Sequence, residues 1–468
     1  MIDTPHPPER PGAARRRARW ALLAGTLAVL LTSCAGADEK RSDGERVFAD
    51  SGCAGCHTLA GAGASGKAGP DLDRARPSVS RIVRQVKRGG NGMPAFGDKL
   101  SDREIVSLAQ YVDSVAGRKG PVVTAFKPDG KRPEDCRSDA TMACWDQALG
   151  NLIFTKGTEK ALETLARTDR EAPAGFSCHR AAHSMGAAAL ARAKGEVARA
   201  FVGGSPVCAS GFYHGVLERS FAGLEDSELA GKARELCADR ELAAAPFLQY
   251  QCLHGLGHGL MIYTSYEMPL ALKTCDALEN DFGRQSCAGG VFMENFNTSY
   301  GAKSEYLRED DLIYPCNEAA PDYKYACYQL VTARIRPHEP TWKGVARQCR
   351  RSEPEWVPTC FESMGRDVSG EARRDPARAR RSCRAAGSGE ADCLYGVVRE
   401  IANADGAPDR AAAFCAGLAP GQRPRCFTGL GSILVTLFPA EAERRRACAE
   451  AAGRLAAACE KGAGVTRD

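Results

Sequence analysis

The sequence predicts an all-α protein in which a small helical domain precedes a longer repeat of disulfide-clamped α-helical hairpins, an α-solenoid. Three observations predict it. The chain has 468 residues, more than one hydrophobic core usually organises. Cysteines recur at equal intervals in the C-terminal part, at Cys327, Cys360, Cys393 and Cys426. The residues after these cysteines, for example 393–401, carry apolar side chains spaced by three and four, the period of a helix.

Residues 1–34 have the pattern of a targeting segment. Four arginines between positions 15 and 19 precede an apolar run from Trp20 to Leu31, which is too short to span a bilayer comfortably. The run ends in Leu-Thr-Ser-Cys34, which resembles the bacterial lipoprotein signal, and that resemblance implies cleavage and lipidation at Cys34. Ala35 at the next position then favours the periplasmic face of the outer membrane. An ordinary signal peptide or an uncleaved anchor remains the alternative.

Composition narrows the classes of partner. The net charge of +5 is small for this length, and no Lys/Arg-rich stretch is interleaved with aromatic residues, which argues against a nucleic-acid partner. Twenty-one cysteines are many for a cytosolic protein, where thiols are kept reduced. The cysteine content therefore predicts an exported protein.

Residues 41–118 contain a short motif with specific chemistry. Cys53-Ala-Gly-Cys56-His57 has the C-x-x-C-H pattern in which two thiols bind haem covalently and the adjacent imidazole ligates the iron. Met93, in a Gly-Met-Pro turn further along the chain, is the candidate second axial ligand. A disulfide or half a zinc site is the alternative for the two cysteines, and a packed core methionine is the alternative for Met93.

The same segment resembles the class I cytochrome c family over nearly all of its length. The family packs a first helix carrying Gly and an aromatic residue against a last helix carrying Leu and Tyr, which here are Gly44, Phe48, Leu108 and Tyr111. Gly-Pro70-Asp-Leu matches the family loop in which the proline carbonyl orients the proximal imidazole, so the resemblance assigns that role to Pro70. With both axial positions of the iron filled, the predicted function is single-electron transfer to or from a redox partner protein.

A basic stretch follows the motif, from Arg74 to Arg88. Two interpretations stay open: a surface that docks an acidic redox partner, and a helix face exposed to solvent.

A linker at 119–134 leads into a histidine-rich helical region with early repeats at 135–300 and regular cysteine-paired repeats at 301–460. Subtracting Cys34, Cys53 and Cys56 from 21 leaves an even 18, and sequential pairing gives nine pairs. The expected pairs are 136/144, 178/208, 237/252, 275/287, 316/327, 349/360, 383/393, 415/426 and 448/459. Each hairpin is predicted to have a first helix that ends at a cysteine and a second that starts at one. Period and form are similar to tetratricopeptide and Sel1-like repeats, whose sequence signatures are missing.

Five histidines are concentrated in the early repeats: His179, His183, His214, His254 and His258. The first two and the last two are spaced i, i+4, which places each pair on one helical face with a separation suited to one metal ion. His214 and His258 each follow a cysteine by six residues, so stacking should bring them onto neighbouring helices. Imidazole ligation suits copper, zinc or iron. Packing histidines bonded to backbone, or a non-covalent haem, are the alternatives.

Four acidic side chains lie near the cluster in sequence, and we expect them to ligate iron or to hold the imidazoles. They are Glu218, Glu267, Asp276 and Glu294.

Three functions follow from these features. The first is a lipid-anchored electron carrier whose solenoid is a docking scaffold. The second is a metal-dependent oxidoreductase in which the histidine cluster exchanges electrons with the tethered haem. The third is an interaction solenoid with a redox-sensing haem. The sequence leaves open whether the protein is an enzyme.

Overall fold

A computed structural model of the chain describes residues 42–90, 92–116, 126–136, 142–171, 176–208, 210–221, 224–297, 304–372 and 375–465. The predicted targeting segment, residues 1–34, and with it the predicted lipidation site Cys34, lies outside the described residues. None of the helices within these ranges combines the length and the apolar character needed to cross a bilayer.

The first four helices belong to a small domain that forms around the C-x-x-C-H motif. They are α1 (Asp43–Asp50), α2 (Leu72–Ala75), α3 (Val79–Arg88) and α4 (Asp102–Val115). Two antiparallel strands of two residues each, β1 (Thr58–Leu59) and β2 (Ala64–Ser65), lie between α1 and α2.

Side-chain caps fix where these helices begin. Ser42 accepts a hydrogen bond from the Glu45 amide at the start of α1, and Ser101 and Glu104 form a capping box on α4.

The helix pair expected from the family resemblance is present. At Gly44 an added Cβ would lie 2.1 Å from the Ser107 carbonyl oxygen, so only glycine lets α1 cross α4 this closely. Phe48 packs edge-on against Tyr111 with ring centroids 6.0 Å apart, and Leu108 is buried beside them.

The rest of the described chain is a two-layer helical repeat. Its helices are α5 (Met142–Lys156), α6 (Thr158–Glu171), α7 (Cys178–Arg192), α8 (Val197–Phe201), α9 (Gly211–Ser220), α10 (Asp226–Leu236), α11 (Arg240–Ala243), α12 (Pro246–Tyr263), α13 (Met268–Cys275), α14 (Asp281–Phe296), α15 (Pro321–Tyr328), α16 (Thr332–Ile335), α17 (Trp342–Cys349), α18 (Val357–Glu371), α19 (Pro376–Cys383), α20 (Glu390–Asp405), α21 (Asp409–Ala416), α22 (Arg423–Leu437), α23 (Glu441–Ala452) and α24 (Ala456–Gly462). The all-α class predicted from the sequence is confirmed.

The long helices stack in one layer and the short ones cover them. In the early repeats α7 packs between α5 and α9, and α12 packs between α9 and α14. In the late repeats α20 packs between α18 and α22, and α22 packs against α24. One continuous hydrophobic core runs through the layer from Cys136 to Val465. Residues 126–134, expected in the linker, lie against α5: Phe126 stacks on Phe154, and the Asp129 amide donates to Asn151.

All nine sequential disulfides are present. Eight of the nine disulfides join cysteines 8 to 15 positions apart and one, Cys178–Cys208, joins cysteines 30 apart. Each closed loop removes chain entropy from the unfolded state, a stabilisation on the order of 2–4 kcal/mol.

The predicted start of the second helix is wrong by three residues in the late repeats, where α18 and α22 begin ahead of Cys360 and Cys426, and by six residues in α12, α14 and α15. In α18 and α22 a proline lies in the first turn. Its ring fixes φ at a helical value, and the backbone N–H that proline lacks would have no hydrogen-bond partner at that position.

Candidate functional site

The two motif cysteines stand apart from the other described cysteines. Cys53 and Cys56 are free thiols at the ends of one tight turn, whereas the remaining eighteen are disulfide-bonded. Burial raises the pKa of Cys53. The disulfide alternative for the motif therefore does not describe this structure.

His57 is held in one orientation by the loop that follows it. Its Nδ1 lies 2.9 Å from the carbonyl oxygen of Pro70. A carbonyl only accepts, so Nδ1 carries the proton and Nε2 keeps its lone pair for a metal. Gly69 packs against the ring, and a Cβ there would lie 2.6 Å from Cε1 of His57. Pro70 takes the place that the family resemblance assigned to it.

Met93 lies on a short turn after α3. Its amide donates to the Gly90 carbonyl at 2.9 Å, and its own carbonyl accepts from the Gly90 amide at 2.8 Å. Gly89 and Gly90 have positive φ angles of 67° and 108°, which let the chain reverse here. The half-buried Met93 side chain packs on the core of the small domain.

Comparison with known proteins agrees with this geometry. Residues 39–112 match the family model described as cytochrome C oxidase, cbb3-type, subunit III. Cytochrome c6 of Diacronema lutheri is 41% identical over 81 residues, which are 16% of this chain and 96% of that protein. The chain belongs to the cytochrome c family. Its cytochrome domain is an electron-transfer module of the haem c type, as the sequence predicted.

Two further cytochromes c6 cover the same part of the chain. That of Bumilleriopsis filiformis is 38% identical over 78 residues, 15% of this chain and 85% of the relative. The chloroplastic protein of Chlamydomonas reinhardtii is 35% identical over 116 residues, 21% of this chain and 75% of the relative. The family model covers no residue after 112. No solved structure gives a significant match.

The basic face of α3 in the cytochrome domain contacts the helical repeat of the same chain. Arg84 forms two bonds with the Asp226 carboxylate, at 2.5 and 3.0 Å, and its Nε donates to the Thr264 carbonyl at 2.9 Å. The Arg81 guanidinium lies 4.8 Å from the ring centroid of Tyr263. From the sequence, the basic stretch is either a face exposed to solvent or a surface that docks another protein. The structure supports neither interpretation for Arg81 and Arg84, because the acidic residue that Arg84 binds, Asp226, belongs to this chain.

Polar contacts extend the interface at both ends of α3. Ser80 donates within 3.1 Å to the carboxylates of Glu225 and Asp226 at the start of α10. Arg88 pairs with Glu267, which also accepts a 2.7 Å bond from the Tyr306 hydroxyl. Glu267 therefore serves the interface and does not reach the histidine cluster.

The five clustered histidines lie on three adjacent helices. His179 and His183 project from α7, His214 from α9 and His254 and His258 from α12. Nε2 of His179 and Nε2 of His183 are 3.2 Å apart. His214 stacks on His258 with ring centroids 3.9 Å apart and planes 13° apart, which confirms that equivalent repeat positions adjoin.

Four of the five imidazoles have a second contact that leaves one nitrogen facing the cluster. Nδ1 of His179 lies 2.8 Å from the Cys208 carbonyl, and Nδ1 of His183 lies 3.4 Å from Glu218. Nδ1 of His258 lies 2.9 Å from Glu294, a fully buried carboxylate.

His254 completes this set by bonding the backbone at Ser286. Metal-ligating histidines characteristically have such contacts on the other ring nitrogen.

The acidic residues expected near the cluster divide into two pairs. Glu218 and Glu294 hold imidazoles, whereas Asp276 accepts a bond from Tyr323 and Glu267 lies at the interface. No sequence pattern pointed to Tyr266, whose hydroxyl donates to Glu294 at 2.7 Å. Tyr266 has a φ of +63°, a left-handed conformation that side chains rarely adopt, so the backbone is strained where it holds Glu294.

Burial lowers the pKa of four of these imidazoles, those of His179, His214, His254 and His258, which are therefore neutral at pH 7. Desolvation, with a smaller contribution from neighbouring imidazoles, lowers the pKa of His179 to about 4 and that of His254 to about 3. A neutral imidazole has the free lone pair that a metal requires. Nε2 of His258 and both nitrogens of His214 are buried without a hydrogen-bond partner. Such orphaned nitrogens fit a site built for a cation.

Proposed function

We propose that this protein is a membrane-anchored electron carrier whose single haem c is bound by Cys53 and Cys56, with His57 and Met93 as axial ligands. The observation that carries the proposal is the pair of unbridged cysteines beside a histidine whose Nδ1 is held by Pro70. Bound haem iron supplies a reversible one-electron couple. The chain's part is to fix both axial side chains, which leaves no open position for substrate.

Covalent attachment is tested with a Cys53→Ser/Cys56→Ser double variant expressed beside the native chain. We expect haem-dependent peroxidase staining of the native band on a denaturing gel and none of the variant band. Staining that survives the double substitution would place the haem elsewhere.

The lipid anchor at Cys34 and a position on the periplasmic face of the outer membrane are part of this proposal. They rest on the Leu-Thr-Ser-Cys34 sequence and on the disulfide content, which requires an oxidising compartment. A Cys34→Ser variant should move from the membrane fraction to the soluble periplasmic fraction. If both forms fractionate alike, the anchor is not lipid on Cys34.

In this proposal the helical repeat is the surface that binds the cytochrome domain in a fixed position. The contacts of Arg81, Arg84 and Arg88 with the repeat leave the basic face of α3 engaged inside the chain. A redox partner protein therefore meets the haem from another side of the domain.

A second candidate function is favoured by the histidine cluster. We propose that it binds a transition metal that exchanges electrons with the haem, which would make the protein an oxidoreductase. For metal–nitrogen bonds of about 2.05 Å, the 3.2 Å between Nε2 of His179 and Nε2 of His183 corresponds to an angle of about 100° at the metal.

The two domains meet on the helix that carries part of this cluster. Tyr263, under Arg81, ends α12 five residues after His258, a rise of about 7.5 Å along the helix. Metal analysis of the purified chain tests the second candidate: metal beyond the haem iron supports it, and haem iron alone contradicts it.

A further inference from the structure

His214 differs from the other four clustered histidines. It lies on α9, between α7 and α12, and it is 1% exposed. Its Nδ1 and its Nε2 are both buried without a hydrogen-bond partner. A buried polar group without a partner destabilises the fold, and an imidazole that only packed would have bonded backbone through at least one nitrogen, as His179 does.

Two sets of three nitrogens meet at this residue. His179, His183 and His214 bring one ligand atom each within 4.8 Å of one another, and so do His214, His254 and His258. Each set combines one i, i+4 pair with the same central ring. The cluster therefore contains two possible metal positions that share one side chain.

We propose that His214 bridges two metal ions through its two ring nitrogens, as an imidazolate, with one ion held by His179 and His183 and the other by His254 and His258. This inference rests on the metal binding proposed above. Entry of the second ion displaces the ring N–H proton of His214, which leaves to solvent; no electron is transferred in that step.

The two metal positions differ in how well the present side-chain geometry suits an ion. Nε2 of His179 and Nε2 of His183 already have a separation suited to one ion. The His258 ring lies parallel to His214, and two rings that bind one ion cannot lie in separate parallel planes. His258 must turn about its Cβ–Cγ bond to bind, so the first ion enters the α7 position and the second binds more weakly.

Copper is the ion that fits both this donor set and the proposed exchange of electrons with the haem. The carboxylates of Glu218 and Glu294 contact imidazole nitrogens, which leaves a set of imidazole donors. Non-haem iron(II) sites commonly include a carboxylate ligand, and zinc has no redox chemistry to couple to a haem. Imidazole donors suit copper in either oxidation state.

The test is a titration of the haem-loaded full chain with cupric chloride, followed by electron paramagnetic resonance with copper counted apart from ferric haem. An imidazolate bridge couples two cupric spins antiferromagnetically. We expect two coppers per haem iron by elemental analysis, and a copper signal at low temperature that grows with the first equivalent and falls with the second.

Three variants separate the bridge from general loss of structure. His214→Leu should bind fewer than two coppers, with every remaining copper giving its full signal. His254→Leu should keep one fully visible copper. His338→Leu, outside the cluster, should behave like the native chain. If His214→Leu does not fold, the native titration and His254→Leu still decide the question.

The remaining outcomes count against the bridge. One copper per chain, or two that give the full signal of independent ions, would overturn it and leave the one-metal proposal intact. No copper would overturn the bridge, and the metal analysis of the purified chain would then decide the one-metal proposal by itself. The visible haem spectrum is recorded in every sample, so the electron-carrier proposal is judged separately.

Discussion

At the residue scale, the second axial ligand is tested by replacing Met93 with Ala. The haem should stay attached through its two thioether bonds, while the low-spin His/Met spectrum is lost and the reduction potential falls because the thioether ligand is removed. Visible and magnetic circular dichroism spectra measure this. Met142→Ala, in the helical repeat, is the matched control and should leave the spectrum unchanged. A native spectrum in Met93→Ala would assign the ligand to another residue.

The haem site could be predicted where its chemistry is contiguous in sequence. Cys53, Cys56 and His57 follow one another closely, and Gly69 and Pro70 lie in a family loop. The clearance that Gly69 leaves for the His57 ring could not be predicted, because it depends on how the loop packs. The absence of hydrogen-bond partners at both ring nitrogens of His214 likewise becomes visible only in the three-dimensional structure.

At the element scale, periodicity predicted the hairpins but not how closely their helices approach. A Cβ added at Gly365 in α18 would lie 1.9 Å from the Cys393 carbonyl oxygen, and one at Gly396 in α20 would lie 1.8 Å from that of Glu362. Equivalent reciprocal pairs recur along the repeat at Gly186/Gly215, Gly257/Gly290 and Gly431/Gly462. Each of these glycines follows a cysteine by three to eight residues. That spacing predicts a close contact between helices only once the facing helix is known.

Two alanine substitutions in α18 test this close packing. Gly365→Ala should lower the free energy of unfolding by about 1–3 kcal/mol, because its methyl group meets backbone that cannot move aside. Gly370→Ala has nothing within 4 Å and should raise it by up to about 1 kcal/mol through helix propensity. Urea unfolding followed by circular dichroism measures both. Equal effects from the two substitutions would contradict the packing.

The interface between α3 and α10 allows a double-mutant cycle. Arg84→Ala and Asp226→Ala should each lower the midpoint of urea unfolding monitored at the haem, and the double variant should add little more, because the two side chains share one pair of bonds. Lys87→Ala, which removes an exposed ion pair to Asp102 inside the cytochrome domain, is the control and should change the free energy by less than about 1 kcal/mol. Strict additivity of Arg84→Ala and Asp226→Ala would show that they do not interact.

At the scale of the whole molecule, counting the cysteines and pairing them in chain order predicted the nine disulfides, because eight of the pairs are 15 or fewer positions apart and the ninth, Cys178–Cys208, is 30 apart. The contact between the cytochrome domain and the helical repeat could not be predicted from the sequence. Arg84 and Asp226 are 142 positions apart, and either side chain could equally have been exposed to solvent. Sequence also could not predict that the cytochrome domain would contact α12, which carries both the interface residue Tyr263 and two of the five clustered histidines.

Thiol titration tests the cysteine inventory. The haem-loaded, lipidated protein should show no free thiol when denatured and eighteen after reduction, because Cys34, Cys53 and Cys56 remain in thioether linkage. Mass spectrometry after alkylation measures both states. Two or more free thiols before reduction would contradict nine disulfides.

A redox titration of the haem-loaded full chain, with and without carbon monoxide, tests whether the cytochrome domain carries single electrons at an iron closed to substrate. We expect a reversible one-electron transition and a reduced spectrum that carbon monoxide leaves unchanged. Rapid carbon monoxide binding to the native reduced protein, or an iron that does not reduce reversibly, would contradict this expectation.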